Sequence, residues 1–222
     1  HHFGLSSRSN ESNRFNRQLL DIGDKYADEV ARRFPEVQRR VGGYNIDALV
    51  RSPNGTNNLA HLLVGSEGTL AYSERIQLHL SNIPSHKVLG VCHFPTFYAA
   101  MDSAQHIVKL GPSAVELVDR TMIELARDIP IFRDVIGQIV VGQPDALLLV
   151  EFSGDDLDAQ LKGLEQLQEL MNDLGFLGSV TEAINPGFQK EIWEVRKSGL
   201  NIMMSMKGDG KPVSFIEDCA VR

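Results

Sequence analysis

Residues 88–94 read Val-Leu-Gly-Val-Cys-His-Phe, a mostly apolar stretch of strand length. A helix is predicted after it, because Thr96 is a suitable N-cap and apolar residues recur at helical spacing from 97 to 108. A glycine-proline pair then stops the helix, and residues 114–118 form a second strand candidate. This part of the chain therefore begins with a β-α-β unit.

The same order of elements repeats further along. The predicted elements are a helical piece around 121–127, a strand over 145–152, a long helix capped by Asp155 or Asp156, and a strand over 178–182. Two β-α-β halves joined by a short connection are typical of a ferredoxin-like α+β sheet. The central helices would cover one face of that sheet, and the sequence leaves the other face undecided.

Outside this core, helices are predicted over 16–34 and from 186 to about 200, and a last strand over 213–221 follows a glycine-rich turn. The first 15 residues resemble a tag remnant and a disordered start. A linker at 82–85 marks a domain boundary. We therefore expect one domain over 16–84 and a second over 85–222.

The stretch from Leu62 to Ala71 reads Leu-Leu-Val-Gly-Ser-Glu-Gly-Thr-Leu-Ala. We expect a strand at 62–64, a turn, and another strand near 75–80, where apolar and polar residues alternate. Glycines at the turn allow positive φ and let backbone N–H groups approach a bound phosphate or flat polar ring. Judged on conformation alone, an ordinary turn between two strands is the other interpretation.

Two segments resemble a known family. Residues 64–70, Val-Gly-Ser-Glu-Gly-Thr-Leu, and residues 43–49, Gly-Tyr-Asn-Ile-Asp-Ala-Leu, look like the end of the FAD-binding domain of the FAD-linked oxidases related to D-lactate dehydrogenase and glycolate oxidase. The likeness continues through 193–197 and 213–221, although Ala71 replaces the family's usual last glycine. The long bacterial members, which add an iron-sulfur region, are the most similar.

The resemblance implies a fold, a cofactor and a reaction. The fold is the C-terminal part of a PCMH-type FAD-binding domain followed by a ferredoxin-like α+β cap domain. The reaction is oxidation of a D-2-hydroxy acid, of the D-lactate or glycolate type, by hydride transfer to flavin, and a quinone, a cytochrome or an iron-sulfur region outside this chain would accept the electrons. The residues implied to line FAD are Tyr44, Asn45, Gly65, Ser66, Glu67, Gly68 and Thr69.

In this family a glycine-rich pyrophosphate-binding half precedes these segments, and a histidine pair that binds metal or acts as base follows them. Both would lie outside residues 1–222. We therefore expect a fragment with a truncated cap and no general base, which alone is inactive and binds FAD weakly or not at all.

Arg196 has two interpretations. From the residues alone, it shares a helix with Glu191, Glu194 and Lys197, and acid–base pairs on such a helix usually lie on a solvated face. The resemblance to the family's Trp-x-x-Arg pattern implies instead that Arg196 holds the substrate carboxylate, a role that suits a guanidinium fork. Some relatives add a lysine on the following strand, where this chain has Ile216.

Net charge and cysteine content bear on partners, metal sites and location. A net charge of −7 argues against nucleic-acid binding. Cys92 and Cys219 are the only cysteines and stand in no metal-binding pattern, so we expect no metal site and a reducing compartment. A cytoplasmic location is expected, and a peripheral position at the inner membrane face is compatible with the family.

Two questions stay open from the sequence. The basic cluster of Arg32, Arg33, Arg39 and Arg40 either forms a solvated face or contacts flavin phosphates or a neighbouring domain. A ferredoxin-like sheet also hosts unrelated roles, so the alternative to an enzyme is a non-catalytic ligand-binding or dimerisation module. A homodimer formed through an open sheet is compatible with either function.

Overall fold

The computed structural model describes residues 10–37, 40, 42–55 and 57–204. These residues divide into two compact units, the first ending at His79 and the second beginning at Leu80. The predicted glycine-rich turn at 207–212 and the last strand at 213–221 lie outside the described residues.

The first unit contains one long helix and two short 3-10 helices, with the bounds α1 Asn10–Arg33, Ile46–Leu49 and Leu59–Leu63. The helix starts six residues before the predicted position, so residues 10–15 are helical and not part of a disordered start. Residues 10–15 contain no glycine or proline, which would stop the helix from extending.

The predictions of strands at 62–64 and 75–80 in this unit are wrong. Leu59–Leu63 is a 3-10 helix because the Asn58 side chain caps it, accepting a hydrogen bond from the Ala60 N–H at 3.2 Å. Residues 75–80 pair with no strand in the described part of the chain, and Ile76, Leu78 and Leu80 are exposed. Alternation of apolar and polar residues does not by itself form a strand, since the backbone N–H and C=O groups of a strand need hydrogen-bond partners on a neighbouring strand.

Helix α1 packs closely on the first 3-10 helix at Gly23. A Cβ at this position would lie 2.0 Å from the Leu49 carbonyl oxygen, so only glycine fits. Arg51 joins the same two elements, because its Nε donates to the Asp24 carboxylate at 2.8 and 2.9 Å. The interface between them therefore has its closest backbone approach at Gly23.

We expect Gly23→Ala to lower the free energy of unfolding by about 2 kcal/mol, because the clash is with backbone that cannot rotate away. Gly137→Ala in α4 (Pro130–Ile139) is the matched control, since its Cβ would meet nothing within 4 Å. That control should gain about 0.5–1 kcal/mol from helix propensity. Urea unfolding followed by circular dichroism measures both, and equal signs for the two variants would contradict the close approach.

The second unit is built on a four-stranded antiparallel sheet. Its strands are β1 His86–Phe94, β2 Ala114–Asp119, β3 Ala146–Gly154 and β4 Val180–Ala183, in the spatial order β2-β3-β1-β4. This order, with a helix after β1 and another after β3, is that of a ferredoxin-like sheet. The prediction of an α+β ferredoxin-like fold is confirmed.

Six helices accompany the sheet in the described residues of this unit: α2 Phe97–Ile107, α3 Arg120–Asp128, α4 Pro130–Ile139, α5 Leu157–Asp173, α6 Pro186–Lys197 and α7 Gly199–Met204. Thr96 and Asp156 cap α2 and α5, as predicted from the sequence. The single helix expected from 186 to about 200 is interrupted at Ser198, where α6 ends.

Helices cover both faces of the sheet. One face packs on α2 and α5 through residues that include Phe94, Val150 and Leu167. The other face, left undecided by the sequence, packs on α3, α4 and α6 through residues that include Ile136 and Ile192. The face carrying α6 also carries Arg196.

Cys92 lies on β1, fully buried beneath α2 and α5. Burial raises the pKa of its thiol to about 12, since a thiolate would lose its hydration. We therefore expect Cys92 to resist alkylation by iodoacetamide at pH 8 in the native protein and to react fully in urea. Peptide mass spectrometry reads this single position, and rapid native labelling would contradict its burial.

Candidate functional site

In the first unit, the predicted glycine turn has an unusual backbone. Gly65, Glu67 and Gly68 have φ of 75°, 51° and 77°, and Glu67 is the only non-glycine residue with positive φ in the described chain. The Thr69 N–H donates to the Ser66 carbonyl at 2.9 Å, which closes a four-residue turn with positive φ at both central positions. This is the φ pattern of a type I′ turn.

The turn is fastened from inside. Ser66 is buried, and its Oγ donates to the Leu63 carbonyl at 2.9 Å. The Thr69 hydroxyl donates to the Ser66 carbonyl at 2.6 Å. Of the four residues of this turn, only Ser66 is buried, and Glu67, Gly68 and Thr69 are exposed.

The two sequence segments named for flavin binding meet in the structure. The Tyr44 hydroxyl lies 2.9 Å from the Thr69 hydroxyl. The Asn45 amide donates to the carbonyls of His61 and Val64 at 3.3 and 3.0 Å. Tyr44 and Asn45 therefore adjoin the glycine turn, although 14 residues lie between segments 43–49 and 64–70.

The turn presents backbone donors to open space. No described residue accepts a hydrogen bond from the N–H of Glu67 or Gly68, so these donors are available. A Cβ added at Gly65 or Gly68 would meet nothing within 4 Å, so the space in front of the turn is open. A polar ring with acceptor atoms fits such a surface.

In the second unit, helix α6 places Arg196 above the sheet. The Asn185 side chain caps the helix by accepting from the Phe188 N–H at 3.1 Å. Gln189 anchors the first turn, since its Nε2 lies 2.9 Å from the carbonyl oxygens of Lys87, Ala183 and Ile184. The buried positions recur every three residues, and this fixes which face of the helix meets the sheet.

Arg196 contacts the sheet and not its own helix. Its Nη2 donates to Oε2 of Glu116 on β2 at 2.9 Å, across 80 residues of sequence. The i,i+3 pair on the solvated face is formed by Lys197 and Glu194 instead, at 3.2 Å. The Arg196 Nε is buried and has no hydrogen-bond partner in the described chain.

A second carboxylate on the sheet holds the same helix. Glu151 on β3 is buried, and Oε2 accepts from the Trp193 indole N–H at 3.1 Å. Its Oε1 accepts from Lys87 Nζ at 3.0 Å and from the Ser113 hydroxyl at 3.3 Å. A cavity of about 890 Å³ beside α6 is lined by residues that include Lys87, Glu151, Trp193 and Lys197.

Sequence reasoning missed Glu116 and Glu151. A lone glutamate inside the apolar strand Ala146–Phe152 was the available signal for a buried acid. Glu116 had no comparable signal, because its partner is set by how α6 crosses the sheet. Both acids point to the α6 face, since Glu116 pairs in register with Leu149 and Glu151 follows two residues later on that strand.

The arginine cluster divides between two environments. Arg32 and Arg33 are exposed and pair with Glu29, which matches the interpretation as a solvated face. Arg40 pairs with Asp47 and borders a cavity of about 350 Å³ in the first unit. Arg39 lies outside the described residues.

His93 on β1 is held by backbone carbonyl groups. Its Nδ1 and Nε2 lie 2.8 Å from the carbonyl oxygens of Ser179 and Ile139. No group of three or more His, Cys, Asp or Glu side chains among the described residues is arranged to hold a metal ion. Within the same residues, no helix combines the length and apolarity needed to cross a bilayer.

Residues 83–222 match the family described as FAD linked oxidases, C-terminal domain. The chain belongs to the FAD-linked oxidase family. The match spans the ferredoxin-like unit, including Arg196 and its helix, and confirms the family resemblance of the sequence.

The similar curated proteins are dehydrogenases by name. D-2-hydroxyglutarate dehydrogenase of Pantoea ananatis is 28% identical over 98% of this chain. The corresponding enzyme of Escherichia coli is 29% identical over 85% of the chain. The mitochondrial cytochrome D-lactate dehydrogenase of Arabidopsis thaliana is 34% identical over 64% of it.

The chain spans 22%, 19% and 24% of the lengths of these three relatives. Among solved structures, alkyldihydroxyacetonephosphate synthase matches 69% of this chain and 31% of its own, with a TM-score of 0.44 and 16% identity.

Proposed function

We propose that this chain is part of a FAD-dependent dehydrogenase of D-2-hydroxy acids, in which Arg196 binds the substrate carboxylate. The observation that carries the proposal is a guanidinium fixed on an anchored helix with hydrogen-bond donors left over. Membership of the FAD-linked oxidase family supports it. So do the names of relatives that act on D-2-hydroxyglutarate and D-lactate.

Arg196 suits a carboxylate ligand. A guanidinium carries five N–H donors, and Glu116 accepts from one of them. The two Nη1 hydrogens and one Nη2 hydrogen have no partner in the described chain. A planar fork with such donors can bind both oxygens of a carboxylate and thereby fix the orientation of the hydroxy acid.

The glycine turn is proposed to hold FAD. The N–H groups of Glu67 and Gly68 would donate to acceptor atoms of the cofactor, and Tyr44 and Asn45 would border it. When bound, FAD supplies the redox chemistry by accepting the hydride from the hydroxyl-bearing carbon of the substrate. The described residues contribute binding and orientation, and no general base is assigned among them.

Two finer features remain part of the proposal. The relatives include enzymes named for a dicarboxylic and for a monocarboxylic hydroxy acid, so the shared feature is the carboxylate beside the hydroxyl group. Reoxidation of the flavin would need a separate electron acceptor, such as a quinone, a cytochrome or an iron-sulfur region.

The proposal is tested by anaerobic titration of the complete gene product with D-2-hydroxyglutarate and with D-lactate. We expect at least one D-acid to bleach the visible absorbance of oxidised flavin, while the matching L-enantiomer leaves it unchanged. A protein that carries FAD but is bleached by neither D-acid would overturn the activity. A protein without FAD would overturn the cofactor assignment and favour a non-catalytic module.

A further inference from the structure

Two carboxylates on neighbouring strands hold α6 from below. Trp193 and Arg196 lie three residues apart, so they project from the same side of the helix. Glu151 on β3 accepts from the Trp193 indole, and Glu116 on β2 accepts from Arg196. The two contacts differ in the group that is bound: Glu151 binds the indole of Trp193, whereas Glu116 binds the guanidinium proposed to hold the substrate.

The contact with Glu116 is poorly explained by stability. The side chains of Arg196 and Glu116 are 42% and 41% exposed, and ion pairs with that exposure contribute little to folding. Its effect on geometry is larger. An arginine side chain has several rotatable bonds, and the hydrogen bond at 2.9 Å selects one orientation of the fork.

We propose that Glu116 is the positioning residue for Arg196, holding the guanidinium so that its Nη1/Nη2 edge faces the substrate carboxylate. This rests on the proposed function, in which Arg196 binds that carboxylate. Glu116 accepts from Nη2 alone, so it orients the fork and leaves both Nη1 hydrogens and one Nη2 hydrogen for the substrate. Glu116 itself touches neither substrate nor cofactor.

The test compares three variants of the complete, FAD-loaded gene product in steady-state turnover of its D-2-hydroxy acid. Glu116→Ala should lower kcat/KM about tenfold, mostly through KM, because an unheld arginine must be ordered when substrate binds. Glu116→Gln keeps an oxygen acceptor and should stay within about threefold of the parent protein. Glu194→Ala is the matched control, since Glu194 pairs with Lys197 on the same helix and should have no effect.

The outcomes separate this inference from the proposed function. In an Arg196→Ala background, Glu116→Ala should produce no further loss, because its effect acts through Arg196. An unchanged or lower KM for Glu116→Ala, or the same loss in both backgrounds, would overturn the positioning role while the activity stands. Equal losses in the Ala and Gln variants would overturn it as well. If Arg196→Ala itself retains full turnover, the carboxylate assignment of Arg196 fails first.

Discussion

Arg196→Ala in the complete gene product is expected to lower kcat/KM for the D-2-hydroxy acid by at least about 10²-fold while FAD stays bound. A hydrogen bond to a charged group is worth about 1.5–3 kcal/mol, so losing a bidentate contact removes about 3–6 kcal/mol of binding. The loss of the exposed pair with Glu116 should cost at most about 1 kcal/mol of stability. Steady-state kinetics measures kcat/KM, and the flavin absorbance of the purified variant measures how much FAD stays bound.

Arg120→Ala is the matched control for this variant. Arg120 is also on a helix of the ferredoxin-like unit, pairs with a carboxylate, Asp145, and has a similarly exposed side chain. It should keep turnover close to that of the parent protein. If both variants lose activity equally, the loss comes from removing a positive charge anywhere in this unit, and Arg196 has no specific role in substrate binding.

The ferredoxin-like core could be predicted from the sequence because its elements are specified locally. Thr96 and Asp156 mark helix starts through side-chain caps, and apolar runs such as 146–150 mark buried strands. Helix α4, which completes the second face, was not predicted. Only Ile129 separates it from α3, so no loop signals a second helix there.

Patterns that depend on distant partners were misjudged or missed. Residues 75–80 alternate like a strand, yet no described strand pairs with them. Residues 62–64 were predicted as a strand because they form an apolar run. The run gives no sign that Asn45, from another segment, donates to the carbonyls of His61 and Val64. Likewise, Glu116 is recognised as the partner of Arg196 only once α6 is placed across the sheet.

Gly68→Val in the complete gene product is expected to weaken FAD binding at least about tenfold. Glu67 and Gly68 are exposed and their N–H groups have no partner among the described residues, and the valine side chain would fill the open space in front of them. A flavin could then no longer approach the backbone of the turn. The FAD-to-protein ratio after dialysis, and fluorescence titration of the apoprotein with FAD, measure the loss.

Backbone strain has to be separated from this effect, since left-handed φ costs an ordinary residue about 1–2 kcal/mol wherever it occurs. Gly55→Val provides that control in the same unit. Gly55 has φ of 67° against 77° for Gly68, and a Cβ at either position meets nothing within 4 Å. Both variants should therefore lose similar stability, while only Gly68→Val loses FAD. Equal retention of FAD by the two would show that the turn is conformational alone, and equal loss would show that strain in this unit, not contact with the cofactor, governs binding.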